Sequence, residues 1–352
     1  MTTVLGSSSD VAQENPSGAS IDQPEAATSS TSAASTSNRS NSKKAVSSTA
    51  EFGSRVLTDE TRMMDFNAWD QVEWTEEQES HALAQIEKQS SYSMPVELQD
   101  KYEQDASTFW DQFYKMNQDK FFKERNWLRV EFPELFETMS ANTSSRFNIF
   151  EIGCGTGSTV FPLLSETKDA NAFIYAADFA PTAVNLVLEN PEYDDKRCCA
   201  FVYGGQTLVT GFRVFFVALA SHASRILDIT SDTLPPQIKE NSLDVCSCIF
   251  VLSAIHPDKI DRAINNLYRL LKPGGLLLFR DYGRYDMTQL RFKPQRRIQD
   301  HFYVRDEIRN LFRAFDVVDV SVDRRLLINR SKQLKMYRIW HQCKFMKKMD
   351  SA

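Results

Sequence analysis

The stretch that decides the fold is Phe147-Asn148-Ile149-Phe150-Glu151-Ile152-Gly153-Cys154-Gly155-Thr156-Gly157. Phe147 to Ile152 reads as a short buried strand that runs into a glycine-rich turn. A helix is expected from near Ser158, carrying Val160, Phe161, Leu163 and Leu164. Glycines at alternate positions remove the Cβ atoms that would keep a ligand off the backbone, and they permit positive φ. The helix behind them offers unpaired N–H groups and a partial positive charge. The spacing is G-x-G-x-G with an acid two residues ahead. A dinucleotide site needs G-x-G-x-x-G, and Ser158 occupies its third glycine position.

Downstream, strands and helices alternate. Ala172 to Phe179 is the next strand, with a helix from Pro181 that stops before Pro191. Ala200 to Tyr203 is a third strand, and Ser242 to Leu252 reads as a buried parallel strand. Lys259 to Leu271 is an amphipathic helix closed by Lys272-Pro273-Gly274-Gly275, and Leu276 to Tyr282 is a further strand. Asp306 to Phe315 reads as helix, Asp316 to Leu327 and Met336 to Phe345 as β structure. The alternation predicts an α/β fold with a doubly wound, mostly parallel sheet and helices on both faces. Ligands bind such sheets at the carboxyl ends of the strands, where Gly153, Asp178 and Arg280-Asp281-Tyr282 fall.

Upstream, residues 1–50 are Ser, Thr, Ala and Asn with few large apolar side chains, and are expected to be a disordered low-complexity tail. Residues 51–140 form an N-terminal helical cap, and 141–348 the main domain. Thr75 is a candidate N-cap for a helix running to Gln89. Trp110 and Tyr114 are i, i+4 and share a helix face. Lys115, Phe121, Phe122, Lys123, Arg125, Trp127 and Arg129 interleave charge with aromatic rings. That mixture suits base stacking and phosphate neutralisation. It equally suits an amphipathic cap over the core.

The chain has 352 residues and a net charge of −6, with 42% hydrophobic and 25% charged residues, enough for a sizeable core. Charge is uneven. From Arg280 onward there are 18 Lys and Arg against 9 Asp and Glu, which leaves the rest of the chain at −15. A basic C-terminal third is compatible with an anionic partner. The six cysteines include no C-x-x-C and no accompanying histidine cluster, so no metal site is expected and Cys246 and Cys248 read as core residues. No run is long enough to span a bilayer, and no signal or transit peptide is expected. Cytoplasm is the expected location, with the nucleus as alternative.

Asp178 ends a strand where an acid accepts hydrogen bonds from ribose hydroxyls, or it caps the following helix. His256, before Pro257, is a candidate base or a residue that fixes its loop.

The glycine turn resembles motif I of class I S-adenosylmethionine-dependent methyltransferases. From about Phe52 to Lys347 the chain resembles the tRNA 3-methylcytidine methyltransferases, in particular the cytosolic branch acting on threonine and arginine tRNAs. The strings that carry this are Phe-Asn-Ala-Trp-Asp-Gln-Val-Glu-Trp (66–74), Phe-Tyr-Lys (113–115), Phe-Phe-Lys-Glu-Arg-Asn-Trp (121–127), Glu-Ile-Gly-Cys-Gly-Thr-Gly (151–157), Phe-Val-Leu-Ser-Ala-Ile-His-Pro-Asp-Lys (250–259) and Leu-Phe-Arg-Asp-Tyr-Gly-Arg-Tyr-Asp (278–286). The resemblance implies a Rossmann-like class I fold and methyl transfer from S-adenosyl-L-methionine to cytidine N3 in the tRNA anticodon loop. It carries cofactor contacts onto Trp110, Tyr114, Gly153, Asp178 and Ile249, with Gly155 and Gly157 completing the turn. It implies tRNA contacts from Lys115, Phe121, Phe122, Lys123, Arg125 and Trp127, and from the basic C-terminal third, including Arg291 and Lys293. An accessory protein or an aminoacyl-tRNA synthetase enters as a further partner, with no membrane and no metal.

Cytosine N3 is an unprotonated in-plane lone pair at neutral pH, so transfer needs alignment more than a base. The methylated ring is cationic, which gives Asp281 the role of stabilising it and Arg280 and Tyr282 that of orienting the base.

The sequence departs from the family in two places. Tyr203 is followed by Gly204-Gly205 and an apolar insertion (204–221) where the family has an acid that contacts the adenosine. Arg305 runs straight into Asp306-Glu307, where the family has a Gly- and aromatic-rich segment. A catalytically impaired tRNA-binding relative or isoform is therefore the alternative, and a methyltransferase for small molecules or proteins the third reading.

Overall fold

The computed structural model describes residues 54–92, 94–122, 124–125, 127–137, 145–167, 171–203, 228–292 and 303–349. The tail, the 204–221 insertion, Lys123 and Lys293 lie outside the described residues.

Eight described strands form one sheet: β1 (Ala68–Asp70), β2 (Phe147–Ile152), β3 (Ala172–Asp178), β4 (Cys198–Val202), β5 (Leu243–Ile249), β6 (Leu271–Tyr282), β7 (Asp316–Asn329) and β8 (Leu334–Met346). Their order is β1-β7-β8-β6-β5-β2-β3-β4. The five strands from β4 to β6 are mutually parallel, and β8, β7 and β1 join by antiparallel pairings. The expected doubly wound sheet is thus parallel in its ligand-binding half and antiparallel at its far end. Strand order reverses beside β2, which places the switch point, and the crevice that such a reversal opens, at the glycine turn.

Both faces are covered. Phe150, Cys246, Cys248, Leu277 and Phe279 pack against α8 (Pro257–Leu270) and α10 (Arg305–Leu311). Ile149, Val245, Ile249 and Leu278 face α4 (Leu128–Glu131), α5 (Glu134–Glu137) and α6 (Val160–Glu166). Cys246 and Cys248 are fully buried, as their apolar run predicts.

The N-terminal segment carries α1 (Glu76–Ser90), α2 (Val96–Gln104) and α3 (Ala106–Asn117). Thr75 caps α1 reciprocally: it accepts from Gln78 N at 3.2 Å while Gln78 Oε1 accepts from Thr75 N at 2.8 Å. The segment is not purely a helical cap, because it contributes β1 to the sheet edge, with Trp69 opposite Leu326. A three-residue strand has too little period-2 pattern to be read locally.

Lys272 to Gly275 does not close α8 as expected. The helix ends at Leu270, and Leu271 already pairs with Leu243, with the next pair at Val245 and Leu276. The intervening residues form a bulge in which Gly274 takes φ +75°.

Candidate active site

The elbow after β2 holds Gly153, Gly155 and Gly157 at φ +68°, +53° and +88°. A Cβ on Gly153 would stand 2.6 Å from Val251 Cγ2, and one on Gly155 would stand 3.1 Å from Tyr114 Oη. Asp178 locks the elbow from the neighbouring strand. Its Oδ2 accepts from Gly155 N and its Oδ1 from Ala180 N, both at 2.9 Å. Burial pushes its pKa up to about 6, against the backbone N–H groups that favour the carboxylate. Asp178 does not cap α7 (Pro181–Leu188), whose N-cap is Ala180. Instead Asp111 of α3 accepts from Thr182 N at 2.8 Å. That bond seats α3 on the first turn of α7, which brings Tyr114 over Gly155 and the Trp110 ring 6.1 Å from that of Tyr114.

Glu151, the acid ahead of the glycines, is buried and accepts from Arg125 Nη1 at 3.1 Å. The same Nη1 donates to Thr159 Oγ1 at 2.9 Å, and Arg125 N donates to Ser158 O at 2.9 Å. Burial raises Glu151 to about 7, and Arg125 opposes that rise. The structure therefore corrects the reading of Arg125 as a tRNA contact. It is 7% exposed and braces the elbow from below, because a buried carboxylate requires a partner.

Arg280, Asp281 and Tyr282 end β6, and strand alternation separates them. Asp281 faces the loop after β5: its Oδ2 accepts from Ser253 N at 3.0 Å and its Oδ1 from Tyr282 N at 2.8 Å. Burial lifts its pKa to about 6, opposed by the Ser253 hydrogen bonds. Arg280 points to the opposite face. Its guanidinium donates to Gln342 Oε1 and to Asp323 Oδ2 and lies 4.8 Å from both the Trp127 and Trp340 ring centroids. Gln342 donates in turn to Glu131, which Arg325 also reaches at 2.8 Å. Arg280 thus belongs to a buried network that ties α4 to β6, β7 and β8, and it does not converge with Asp281 on one substrate atom. Tyr282 shares the Arg280 face, its ring tilted against that of Phe250 at 4.9 Å. Ile249 is the register partner of Arg280 and is buried. His256 takes the loop-fixing role, since its Nδ1 accepts from Asp258 N at 3.4 Å as the cap of α8.

The family model described as "Methyltransferase domain" matches residues 124–322. The tRNA N(3)-cytidine methyltransferase METTL2 of Danio rerio is 41% identical over 339 residues, covering 84% of this chain and 89% of that protein. The tRNA N(3)-methylcytidine methyltransferase Mettl2 of Drosophila melanogaster is 42% identical over 310 residues, covering 84% and 88%. The tRNA(Thr) (cytosine(32)-N(3))-methyltransferase of Saccharomyces cerevisiae is 40% identical over 310 residues, covering 84% of this chain and 45% of that protein. The chain belongs to the tRNA N(3)-cytidine methyltransferase family.

For a member of this family, the residues assigned to tRNA divide in two. Phe122 packs with Phe113 and Tyr114 over Ala180 and Ala183, and Phe121 stands edge-on to Phe113 and Phe122, so these rings form the cap reading of the segment. The Trp127 ring is half-buried beneath Arg280. Lys115 remains exposed, paired with Asp111 at 2.7 Å, and Arg291 is exposed at the end of α9 (Met287–Arg291). Sequence reasoning missed Gln89, whose buried Nε2 donates to Gln289 O and Phe292 O at 3.0 Å and ties α1 to the end of α9. It also missed Asp111, Glu131 and Gln342. Their only sequence signal is polarity next to an aromatic run, and their partners lie up to 211 residues away.

Proposed function

We propose that this chain transfers a methyl group from S-adenosyl-L-methionine to N3 of a cytidine in the anticodon loop of tRNA, with threonine and arginine tRNAs as substrates. Membership of the family makes this the first reading. The observation that carries it is that residues 250–253 connect two prepared turns: Val251 lies against Gly153 of the elbow, and Ser253 N is held by Asp281.

The elbow fits the cofactor. Gly155 lets the Tyr114 hydroxyl close onto bare backbone, since a Cβ there would stand 3.1 Å from it, and the Asp178 oxygens retain acceptor capacity for ribose hydroxyls beside their backbone bonds. The cofactor supplies an electrophilic methyl sulfonium. The protein's part is to splay the loop base out of its stack and hold N3 in line. Alignment of this kind accounts for up to roughly 7–11 kcal/mol of a barrier in ideal cases. Asp281, ionised above about pH 6, stabilises the cation that develops on the ring. Lys115 and Arg291, both exposed, supply positive charge for the tRNA phosphates. An accessory protein or an aminoacyl-tRNA synthetase as partner, and the cytoplasm as location, complete the proposal.

The test uses labelled cofactor and tRNA transcripts with the anticodon-loop cytidine intact or changed to uridine. Label on the first transcript alone supports the proposal, and equal label on both overturns it. Calorimetry that shows no heat with the cofactor would favour the impaired tRNA-binding relative.

A further inference from the structure

The chain leaves β5 through Phe250, a bulky aromatic residue at φ +59°. This left-handed region favours glycine, and an aromatic residue held there is strained. The backbone is fixed in place because Phe250 N donates to Arg280 O at 2.7 Å. Its neighbours are the two halves of the site. Ile249 precedes it, Val251 after it touches the elbow at Gly153, and Ser253 reaches Asp281. The Phe250 ring is half-buried. It rests on Tyr282 at 4.9 Å with an interplanar angle of 33°, and Trp340 stands edge-on at 6.4 Å. Tyr282 and Trp340 are 7% and 2% exposed, so they are the foundation and Phe250 the outer ring. Glycine at this position would relieve the backbone, so the ring is retained against a local cost.

We propose that Phe250 is the platform on which the target pyrimidine stacks, setting the plane of the base on the Tyr282 side of the strand ends. This rests on the methyltransferase reading above. Every base has a π-face, and an aromatic ring with a rigid backing presents one surface to it. The left-handed φ takes the chain out of β5 directly after Ile249, and the ring lies over Tyr282 beside Trp340.

The test compares Phe250→Leu, which keeps apolar volume but loses the π-face, with Phe250→Tyr, which keeps it. For Phe250→Leu, kcat/KM on tRNA is expected to fall by about five- to a hundred-fold, the range that loss of one stacking contact gives. Cofactor affinity by calorimetry and the thermal midpoint are expected to stay at wild-type values. Phe250→Tyr is expected to keep most of the activity. Phe250→Leu as active as wild type would overturn the proposal. So would a Leu variant that loses cofactor affinity or melts earlier in step with its activity, or a Tyr variant as poor as Leu. Wild-type protein run alongside separates the two claims. No 3-methylcytidine from wild type ends the functional reading and the platform with it, whereas equal product from wild type and the Leu variant ends the platform alone.

Discussion

After β2 the chain turns on Gly153, Gly155 and Gly157, all at positive φ; after β5 it turns on Phe250, also at positive φ. Each turn is clamped by a strand-end carboxylate that accepts backbone N–H bonds: Asp178 at the first, Asp281 at the second. Both carboxylates are lifted to about 6 by burial. The difference lies in what the turn presents. The elbow sheds its side chains, because a Cβ there would strike Val251, Tyr114 or Phe161. The second turn keeps a large ring. One turn thus lets neighbouring side chains close onto bare backbone, and the other carries a ring of its own.

The largest expected effect concerns what lies beneath the first turn. Arg125→Met leaves Glu151 buried and unpaired, and is expected to cost about 3–5 kcal/mol in urea unfolding at pH 8. Glu151 is lifted to about 7, so at pH 6 it takes up a proton and the loss shrinks. Arg125→Met combined with Glu151→Gln is expected to recover most of it. A loss that is the same at both pH values would show that the ion pair does not brace the elbow.

Gly155→Val forces a branched side chain into φ +53° against Tyr114 Oη and is expected to weaken cofactor binding on the order of a hundredfold, read by calorimetry. Asp281→Asn, at the second turn, is expected to leave cofactor affinity intact and lower kcat about ten- to a hundredfold. Wild-type kcat is expected to rise with pH through about 6 as Asp281 ionises, and that limb is expected to vanish in Asp281→Asn. The stability sign is opposite. The folded state holds the Asp281 proton more tightly than the unfolded chain. Its contribution is therefore full below about pH 4 and is lost as pH rises through about 6. Asp281→Asn replaces one of two accepting oxygens by an amide donor facing a buried backbone N–H, and is expected to melt lower than wild type by about 1–3 kcal/mol of stability. Equal melting would show that the two backbone bonds are not both made.

The smallest effect is expected at Lys115→Ala. Its exposed pair with Asp111 stabilises the fold by at most about 1 kcal/mol. If Lys115 meets a phosphate, the slope of tRNA affinity against salt is expected to fall by about one.

The first turn was legible in the sequence because everything it needs is local. A buried strand, alternate glycines and a following acid occupy 32 consecutive positions from Phe147 to Asp178. The sheet's parallel half followed from the strand–helix alternation. The second turn was only half legible. Asp281 stood out as an acid on an apolar strand, but the left-handed Phe250 leaves no trace in composition, since aromatic residues rarely adopt that backbone. Arg280 and Arg125 were misread for one reason. A charged residue near a site reads as ligand-facing, and only the fold reveals that Asp323 and Gln342 wait for the one and Glu151 for the other. The antiparallel edge made by β1 joins residues more than 250 positions apart, and short strands paired at that range carry no local signature.

The most direct test of the account is nucleoside mass spectrometry of tRNA incubated with the purified chain and isotopically labelled S-adenosyl-L-methionine. The account predicts label in 3-methylcytidine from the anticodon loop. Label in another nucleoside, or none while the chain still binds the cofactor, would contradict it.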